Sequence, residues 1–531
     1  TQALLEQINP LTLNEREMRG RFWEQYLKPG IVRFQERLAS LDTLERNYFH
    51  TLYNFITKEL YLSKSGDVDT DVKTGAATLW LGTLDEKREA GEILYDLQIV
   101  ENRVYEAHKP FLTLRIPEYS EPFLPNFRIG DVVVLYERNQ PTDNVTNRIV
   151  FKGSIEQLSV TEIRIRLRAP QRNLALFPPG SCYAVEHDYM DTTFRSMYLG
   201  LSAFMEANAE RRNLLLRRRS PESEACKIGH SIDDFERIAM KALAAKDYFL
   251  LVGPPGTGKT SRALRRMVER FHEQPDCQIL LLAYTNRAVD EICSSLETIE
   301  IGIDYIRIGN ELSCDERFRE NLMENVLASC SKRVEVRRRL SACRVYVGTV
   351  ASVSSRTELF KLKRFDVAIV DEATQILEPQ LLWILTAKSA DGRNAVGKFV
   401  LIGDHKQLPA VVLQRSDESE IYDEELRGCG LYNLKDSLFE RLYRMHWSDE
   451  ESPVMDMLCK QGRMHPGVAS FPNRAFYAGK LKPVGLKHQL ERIDHPVCFV
   501  PSLRDTESIS GKTNRYEAVG GTGLEGSSGD L

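Results

Sequence analysis

The sequence lacks the signatures of a membrane-spanning or disulfide-stabilised protein. Its ten cysteines include no CxxC pair, which argues against a disulfide framework, a zinc site and an iron–sulfur cluster. No apolar run approaches the ~20 residues of a transmembrane helix, and no signal peptide is recognised. We therefore expect an intracellular protein in a reducing compartment, cytoplasmic, or nuclear if the source is eukaryotic.

An excess of positive charge is also missing. The chain has 531 residues, a formal net charge of -5 and 42% hydrophobic residues. At ~100 to 200 residues per domain, this length predicts several globular domains. A nucleic-acid partner would have to be bound by a local basic surface rather than by the whole molecule.

The two ends read as cut. The sequence begins at Thr1 instead of methionine, and residues 519–531 are rich in glycine and serine, as in a linker or a cloning remnant. Residues 1–125 are predicted to hold amphipathic helices of a stalk and a poorly assigned stretch. Apolar residues spaced by three or four support the helices; examples are Phe34, Leu38, Leu41, Tyr48 and Leu52.

Strands dominate the next region. Residues 126–190 alternate apolar and polar positions around the turn "PTDN", which predicts a small β domain. In one strand Arg164, Arg166 and Arg168 share a face because side chains alternate with period two. These arginines would follow a phosphate backbone, or they form a solvated strand face. A stalk helix is predicted over residues 191–225.

From residue 226 onward, short apolar strands end in polar clusters and alternate with helical stretches. The clusters are "GPPGTGKT", "TNRAVDE", "GTVASV", "DEATQ" and "GDHKQLP". This alternation predicts an α/β fold with a doubly wound parallel sheet, whose strands bring all five clusters to one edge.

The first cluster matches the phosphate-binding pattern GxxxxGK[ST]. Its backbone N–H groups would surround phosphate, Lys259 would reach the β- and γ-phosphates, and Thr260 would bind Mg²⁺. A glycine-rich turn that fits by chance is the alternative. The predicted nucleotide-binding residues are Gly253, Pro254, Pro255, Gly256, Thr257, Gly258, Lys259 and Thr260.

Two carboxylates follow the strand "VAIV". Asp371 is placed to hold Mg²⁺ and Glu372 to deprotonate the attacking water, or both cap the next helix. Gln375 is a candidate to report what is bound, Gln407 is a candidate to sense the γ-phosphate, and Arg463 in "QGRMHP" is a candidate to reach that phosphate.

Taken in order, these motifs and "QGRMHP" resemble motifs I, Ia, Ic, II, III and IV of superfamily 1 helicases. The DEAxQ form is similar to the branch that contains the nonsense-mediated-decay helicase, and residues 125–518 look like the helicase half of the flap-processing nuclease–helicases of DNA replication. The resemblance implies a RecA-like domain at 226–430 with the small β-barrel inserted, and part of a second RecA-like domain at 431–518.

For function, the resemblance implies ATP- and Mg²⁺-dependent 5′→3′ movement on single-stranded nucleic acid, with DNA favoured over RNA. The implied strand contacts are Thr285, Asn286 and Thr349. Gln375 and Gln407 would link nucleotide state to strand binding, and Gln461 belongs to the nucleotide-binding motif. A monomer is expected, with any nuclease domain outside this chain.

Three departures from the family pattern stand out. Glu236 replaces the glutamine that reads adenine, and a carboxylate cannot donate to N7. Gly462 replaces an aromatic residue that stacks on the base, so base recognition is expected to be loose. Motifs V and VI are not found. Because an arginine finger is worth about 10³ to 10⁵ in rate, we expect this chain to bind nucleotide and turn it over poorly.

Two other functions stay open at this point. A P-loop ATPase that remodels proteins would also carry "GPPGTGKT", although "GDHKQLP" and "QGRMHP" argue against it. A nucleic-acid-binding scaffold with weak ATPase activity is less consistent with the intact set of Lys259, Thr260, Asp371 and Glu372.

Overall fold

The protein was analysed as a computed structural model that describes residues 20–65, 76–107, 109–119, 125–188, 192–225, 232–446, 452–490 and 497. It consists of two compact units. The first comprises Thr1–Pro254 and Gly258–Leu458, and the second comprises Pro255–Thr257 and Cys459–Leu531. Within the described ranges, no helix is long and apolar enough to cross a membrane.

The first unit starts with helices. A π-helical turn, Trp23–Leu27, leads into four of them: α1 (Lys28–Ser40), α2 (Thr43–Ser65), α3 (Ala76–Leu81) and α4 (Leu84–Glu89). The apolar positions that the sequence spaces by three or four lie inside, because Leu38, Tyr48 and Leu52 are at most 1% exposed. They pack against the core of the ATPase domain described below.

Six antiparallel strands form a closed barrel in the order β1-β2-β5-β4-β3-β6. It begins at Ile93, not at residue 126 as the sequence pattern predicts. A bulge between Ile99 and Glu101 breaks the alternation of the first strand, which hides that strand from pattern reading. The strands are β1 (Ile93–Arg103), β2 (Phe111–Arg115), β3 (Val132–Glu137), β4 (Val150–Leu158), β5 (Glu162–Leu167) and β6 (Cys182–His187).

After a 3₁₀ turn, Leu174–Leu176, within the barrel, the chain leaves β6 through two helices, α5 (Thr192–Glu206) and α6 (Ala209–Leu215). Leu201 and Phe204 of α5 are buried in the same core as Tyr48 and Leu52 of α2. The stalk therefore consists of helices that precede the barrel in the sequence and helices that follow it.

Seven parallel strands form the main sheet in the order β13-β7-β12-β11-β8-β10-β9. Near-continuous apolar residues occupy these strands, as expected for a sheet covered on both faces. The strands are β7 (Tyr248–Val252), β8 (Ile279–Ala283), β9 (Tyr305–Ile308), β10 (Val345–Thr349), β11 (Phe365–Val370), β12 (Val396–Gly403) and β13 (Met455–Met457).

Helices cover the two faces of this sheet and enclose separate apolar cores. They are α7 (Asp234–Ala244), α8 (Arg265–Glu273), α9 (Asn286–Glu297), α10 (Met323–Leu327), α11 (Arg333–Ala342), α12 (Val350–Ser354), α13 (Thr357–Leu362), α14 (Glu378–Thr386), α15 (Glu424–Gly428) and α16 (Leu438–His446). Shorter turns are the π-helical Lys259–Leu264 and the 3₁₀ segments Glu311–Ser313, Glu316–Asn321 and Ala373–Gln375.

The first unit extends beyond the boundary at residue 430 that the sequence predicts. Strand β13 pairs in parallel with β7 and completes the main sheet, and α16, which precedes β13, belongs to the same unit. The second unit holds β14 (Lys460–Gln461), α17 (Pro466–Phe476), β15 (Lys482–Pro483) and α18 (Lys487–Leu490), with β14 and β15 paired in parallel.

Candidate nucleotide and nucleic-acid site

The phosphate-binding loop leaves the carboxyl end of β7, which lies between the edge strand β13 and β12 in the sheet. The Gly253 N–H donates to the carbonyl of Gly403 at 2.9 Å, which ties the loop to the end of β12. Gly258 has φ of +81°, a left-handed conformation that L side chains rarely adopt. The helical turn that follows starts at Lys259, so the last glycine turns the chain into the helix.

The carboxyl end of β11 brings Asp371 to the same edge. Its side chain is 2% exposed, and the Thr260 hydroxyl donates to Asp371 Oδ2 at 2.6 Å. Burial raises the pKa of Asp371 to about 6, against the opposing effect of the Thr260 hydrogen bond. The predicted metal-binding hydroxyl and carboxylate are therefore in direct contact.

Glu372 lies next to the phosphate-binding lysine. Lys259 Nζ is 2.6 Å from Glu372 Oε1, and Glu372 has φ of 52°. Left-handed backbone at a residue other than glycine is uncommon and occurs at tight turns and active sites. This turn places the two carboxylates on different partners, Asp371 on Thr260 and Glu372 on Lys259.

These residues fit a nucleotide with a divalent cation. Mg²⁺ prefers oxygen ligands, and the buried Asp371 carboxylate with the Thr260 hydroxyl offers them without a basic side chain in contact. Bound Mg²⁺ would supply charge neutralisation on the phosphates. The Lys259 ammonium is held by Glu372 at 2.6 Å, so a phosphate at this lysine would compete with that ion pair.

Sequence reasoning missed one residue of this edge, Asp404. It is fully buried and accepts from the Gln407 side-chain amide at 2.9 Å and from the Lys406 N–H at 3.0 Å. Its position directly after the strand "KFVLI" was the available signal. Asp404 fixes the predicted sensor Gln407 relative to the end of β12.

The predicted strand contacts Thr285 and Thr349 lie at the carboxyl ends of β8 and β10. These strands are neighbours in the sheet, so both threonines lie at the same edge. Each hydroxyl caps a helix: Thr285 accepts from the Ala288 N–H at 3.2 Å and Thr349 from the Ser352 N–H at 3.1 Å. Asn286 is the first residue of α9.

On the barrel, the three predicted strand-binding arginines contact carboxylates. Arg164 is 3.4 Å from Glu101, and Arg168 is 3.6 Å from Asp188. Arg166 pairs with Glu156 and also lies 3.4 Å from Glu311. Glu311 belongs to the segment after β9, so Arg166 connects the barrel to the ATPase domain.

Glu236, at the predicted adenine position, is held by two arginines of α8. Arg266 Nε and Arg270 each lie 2.6 Å from a Glu236 carboxylate oxygen. Burial opposes ionisation, but hydrogen bonds from Arg270 and Arg266 outweigh it and keep the pKa of Glu236 below its ordinary value. The side chain is thus a charged acceptor.

The remaining predicted residues belong to the second unit. Gln461 is 1% exposed, and its side-chain amide oxygen Oε1 accepts from the N–H groups of Arg463 and Met464 at 3.0 and 2.7 Å. Gln461 therefore shapes the turn that presents the exposed Arg463. Within the same unit, the Gly462 N–H donates to the Gly256 carbonyl at 2.8 Å.

Comparison with known proteins gives a consistent assignment. A family model described as an AAA domain matches residues 231–339 and 329–415, and a second AAA-domain model matches residues 434–516. The chain is 27% identical to the DNA replication ATP-dependent helicase/nuclease DNA2 of Gallus gallus, over 94% of this chain and 47% of the relative. It is 30% identical to the helicase/nuclease JHS1 of Arabidopsis thaliana, over 67% of this chain and 25% of the relative.

A third relative is the DNA polymerase alpha-associated DNA helicase A of Saccharomyces cerevisiae, 22% identical over 67% of this chain and 60% of the relative. The chain spans about half the length, or less, of the helicase/nucleases that it matches.

The parallel sheet, with a P-loop and an acidic pair meeting at its carboxyl edge, defines a P-loop NTPase core. The chain belongs to the superfamily 1 helicases, within the DEAxQ group that includes the helicase/nucleases of DNA replication.

Proposed function

We propose that the chain is the ATP-hydrolysing motor of a helicase that moves 5′→3′ on single-stranded DNA. One observation carries the proposal: Lys259 and Thr260 of the P-loop contact Glu372 and Asp371, respectively, at 2.6 Å. A phosphate-binding lysine, a metal-binding hydroxyl and two carboxylates are thus assembled at one sheet edge, which is the arrangement that ATP hydrolysis requires.

Each residue has a defined role in this proposal. Thr260 and Asp371 hold Mg²⁺, Lys259 binds the terminal phosphates, and Glu372 accepts a proton from the attacking water. Gln407, whose side-chain amide donates a hydrogen bond to Asp404, senses the γ-phosphate. Arg463 supplies a further positive charge. Thr285, Asn286 and Thr349 contact the nucleic-acid strand at the same edge of the sheet.

The choice of DNA as the track is supported by the relatives, which are named for DNA replication and as a DNA helicase. The 5′→3′ direction is proposed from the resemblance of the motifs to superfamily 1 helicases alone. The base is expected to be recognised loosely, because Glu236 accepts hydrogen bonds and donates none. We therefore expect other purine triphosphates to be used, and an ATP preference of several orders of magnitude over GTP would contradict this part of the proposal.

Turnover of ATP by the complete protein, with and without single-stranded DNA or RNA, tests the proposal, with Lys259→Ala as the blank. Stimulation by one polymer supports the motor function and identifies its track. Turnover that neither polymer changes would instead support an ATPase that remodels proteins. Absence of Mg²⁺-dependent hydrolysis in the complete protein would favour a binding scaffold.

A further inference from the structure

We propose that an exposed basic face on the ATPase domain binds the phosphate backbone of nucleic acid, outside the strand path at Thr285 and Thr349. The basic face consists of Arg333, Arg337 and Arg338 of α11 and Lys361 of α13. The proposal rests on the proposed function only in taking nucleic acid as the ligand.

The local charge is the first observation. Residues 332–364 contain ten basic and two acidic residues, a net charge of +8, although the whole chain has a net charge of -5. The basic residues lie on α11, on α13 and in the loops that flank these helices and β10. A cluster of this sign on one side of an acidic protein creates the local field that attracts a polyanion.

The fold brings the two helices of this segment together. Lys363, the first residue after α13, donates to the carbonyls of Leu340 and Ser341 at the end of α11, both at 3.3 Å. Leu340, Leu359 and Phe360 are buried in one core, and Val336 packs on it. The apolar sides of α11 and α13 therefore face inward, and their basic residues face solvent.

The four cations are not neutralised within the protein. Arg333, Arg337, Arg338 and Lys361 are exposed, and none of them forms a hydrogen bond or ion pair with another residue that the structure describes. Arg339, on the same helix, differs because it pairs with Asp304 at 2.7 Å. A ligand at the basic face would not have to displace an internal partner.

The chemistry of the face favours a phosphate backbone over a protein. Protein interfaces are built around buried aromatic and aliphatic anchors, but the aromatic residues of this segment, Tyr346 and Phe360, are fully buried. Only the aliphatic Val334 and Leu362 are exposed among its large apolar residues. Without exposed aromatic rings the face cannot stack on bases, so guanidinium groups would bind phosphates without reading sequence.

The position of the face connects it to the predicted strand path. Thr349 ends β10 and caps α12, and β10 and α12 lie between α11 and α13 in the chain. The basic face and Thr349 therefore belong to one continuous segment of the chain. The face extends the contact from the sheet edge onto the flank of the domain.

The test is DNA binding by the complete protein in the absence of nucleotide, measured by fluorescence anisotropy over a series of salt concentrations. The variant R333Q/R337Q/R338Q/K361Q removes the face, and glutamine preserves helix propensity. The control R33Q/R172Q/R195Q/K388Q removes four exposed cations elsewhere on the same unit. Labelled single-stranded DNA, duplex DNA and polyglutamate are the three probes.

We expect the face variant to bind DNA at least about tenfold more weakly at 0.1 M salt. The salt slope, which is the decrease of the logarithm of the binding constant with the logarithm of the salt concentration, should be smaller by about 2 to 3 in this variant. The control should have the affinity and the salt slope of the unmodified protein. A loss on single strands, on duplexes or on both supports the proposal and identifies the polymer. A salt slope equal to that of the unmodified protein overturns it and leaves the proposed function intact. A loss confined to polyglutamate overturns it in favour of an acidic protein.

If the unmodified protein binds neither DNA probe, both the face and the proposed function fail. Circular dichroism and the apparent melting temperature verify that the variant is folded, so that lost binding is not mistaken for lost structure.

Discussion

The nucleotide site and the basic face are both suited to phosphate, but their charges are arranged in opposite ways. At the sheet edge Lys259 lies 2.6 Å from Glu372, and Thr260 donates to Asp371 at 2.6 Å. On the basic face, Arg333, Arg337 and Arg338 form no ion pair with any residue in the described ranges.

This difference predicts two kinds of binding. Where charges are paired inside the protein, a ligand must replace the internal partner, and binding depends on the metal and on geometry. Where charges are open, binding releases counterions from the polyanion and depends mainly on salt. The barrel arginines belong to the first kind, because Arg164, Arg166 and Arg168 each contact a carboxylate.

The largest effect is expected for Asp371→Asn. Asparagine retains the hydrogen bond from Thr260 and removes the buried charge that would bind Mg²⁺. We expect Mg²⁺ to strengthen the binding of a fluorescent ATP analogue to the unmodified protein. In the variant, this gain in affinity should be smaller by at least about ten- to a hundredfold, which corresponds to the free energy of one hydrogen bond to a charged group. A Mg²⁺ titration of nucleotide affinity measures it.

Asp391→Asn, in an exposed loop of the same unit, is the control and should leave the Mg²⁺ response unchanged. Without ligand, the Asp371 variant should also have a free energy of unfolding that is higher by about 0.5 to 2 kcal/mol, because the substitution removes a buried charge from a functional site. An unchanged Mg²⁺ response would show that the paired site does not hold the metal.

A smaller effect is expected for Glu236→Gln. Glutamine restores a donor, so the ratio of ATP to GTP affinity should rise by about two- to tenfold, the worth of one hydrogen bond. Competition between the two nucleotides measures the ratio. Glu269→Gln is the control, because Glu269 also accepts from Arg266, at 2.7 Å, and lies farther along α8. Equal ratios of ATP to GTP affinity in both variants would show that Glu236 does not take part in base recognition.

The meeting of Lys259 and Thr260 with Glu372 and Asp371 at one sheet edge could be predicted from sequence, because both motifs come after buried strands. The sequence did not reveal β9 and β13, because strands of four and three residues are too short to show a recognisable apolar pattern. The ion pairs of the barrel arginines were not predictable, because Glu311 is 145 positions from Arg166. The basic face was missed for a related reason: only the fold brings α11 and α13 together.

Arg166→Gln and Arg337→Gln compare a paired and an open arginine directly. We expect the Arg337 variant to lower the DNA salt slope by up to about 0.9, the value for one phosphate contact, and the Arg166 variant to leave it unchanged. The Arg166 variant should instead lower the unfolding free energy by about 0.2 to 1 kcal/mol, as partly exposed pairs do. Equal salt slopes in the two variants would show that paired and open arginines do not differ in their contribution to DNA binding.

The smallest effect concerns pH and His405, in the loop after β12. Burial, with the nearby Lys406, lowers the pKa of His405 to about 4 from an ordinary 6.5, and its ring packs 4.1 Å from that of Tyr443. Between these two pH values the unfolded chain binds more protons than the folded protein, so stability falls as pH falls. We expect His405→Asn to show a smaller drop in apparent melting temperature between pH 7 and pH 5 than the unmodified protein.

The exposed His488→Asn is the control for that measurement, and an equal drop in all three proteins would assign the pH sensitivity to other groups. The comparison also separates the two regions. Arginine stays protonated throughout this range, so DNA binding by the basic face should persist at pH 5 as long as the protein is folded. Acid would then weaken the core beside the nucleotide site while leaving the open charges unchanged.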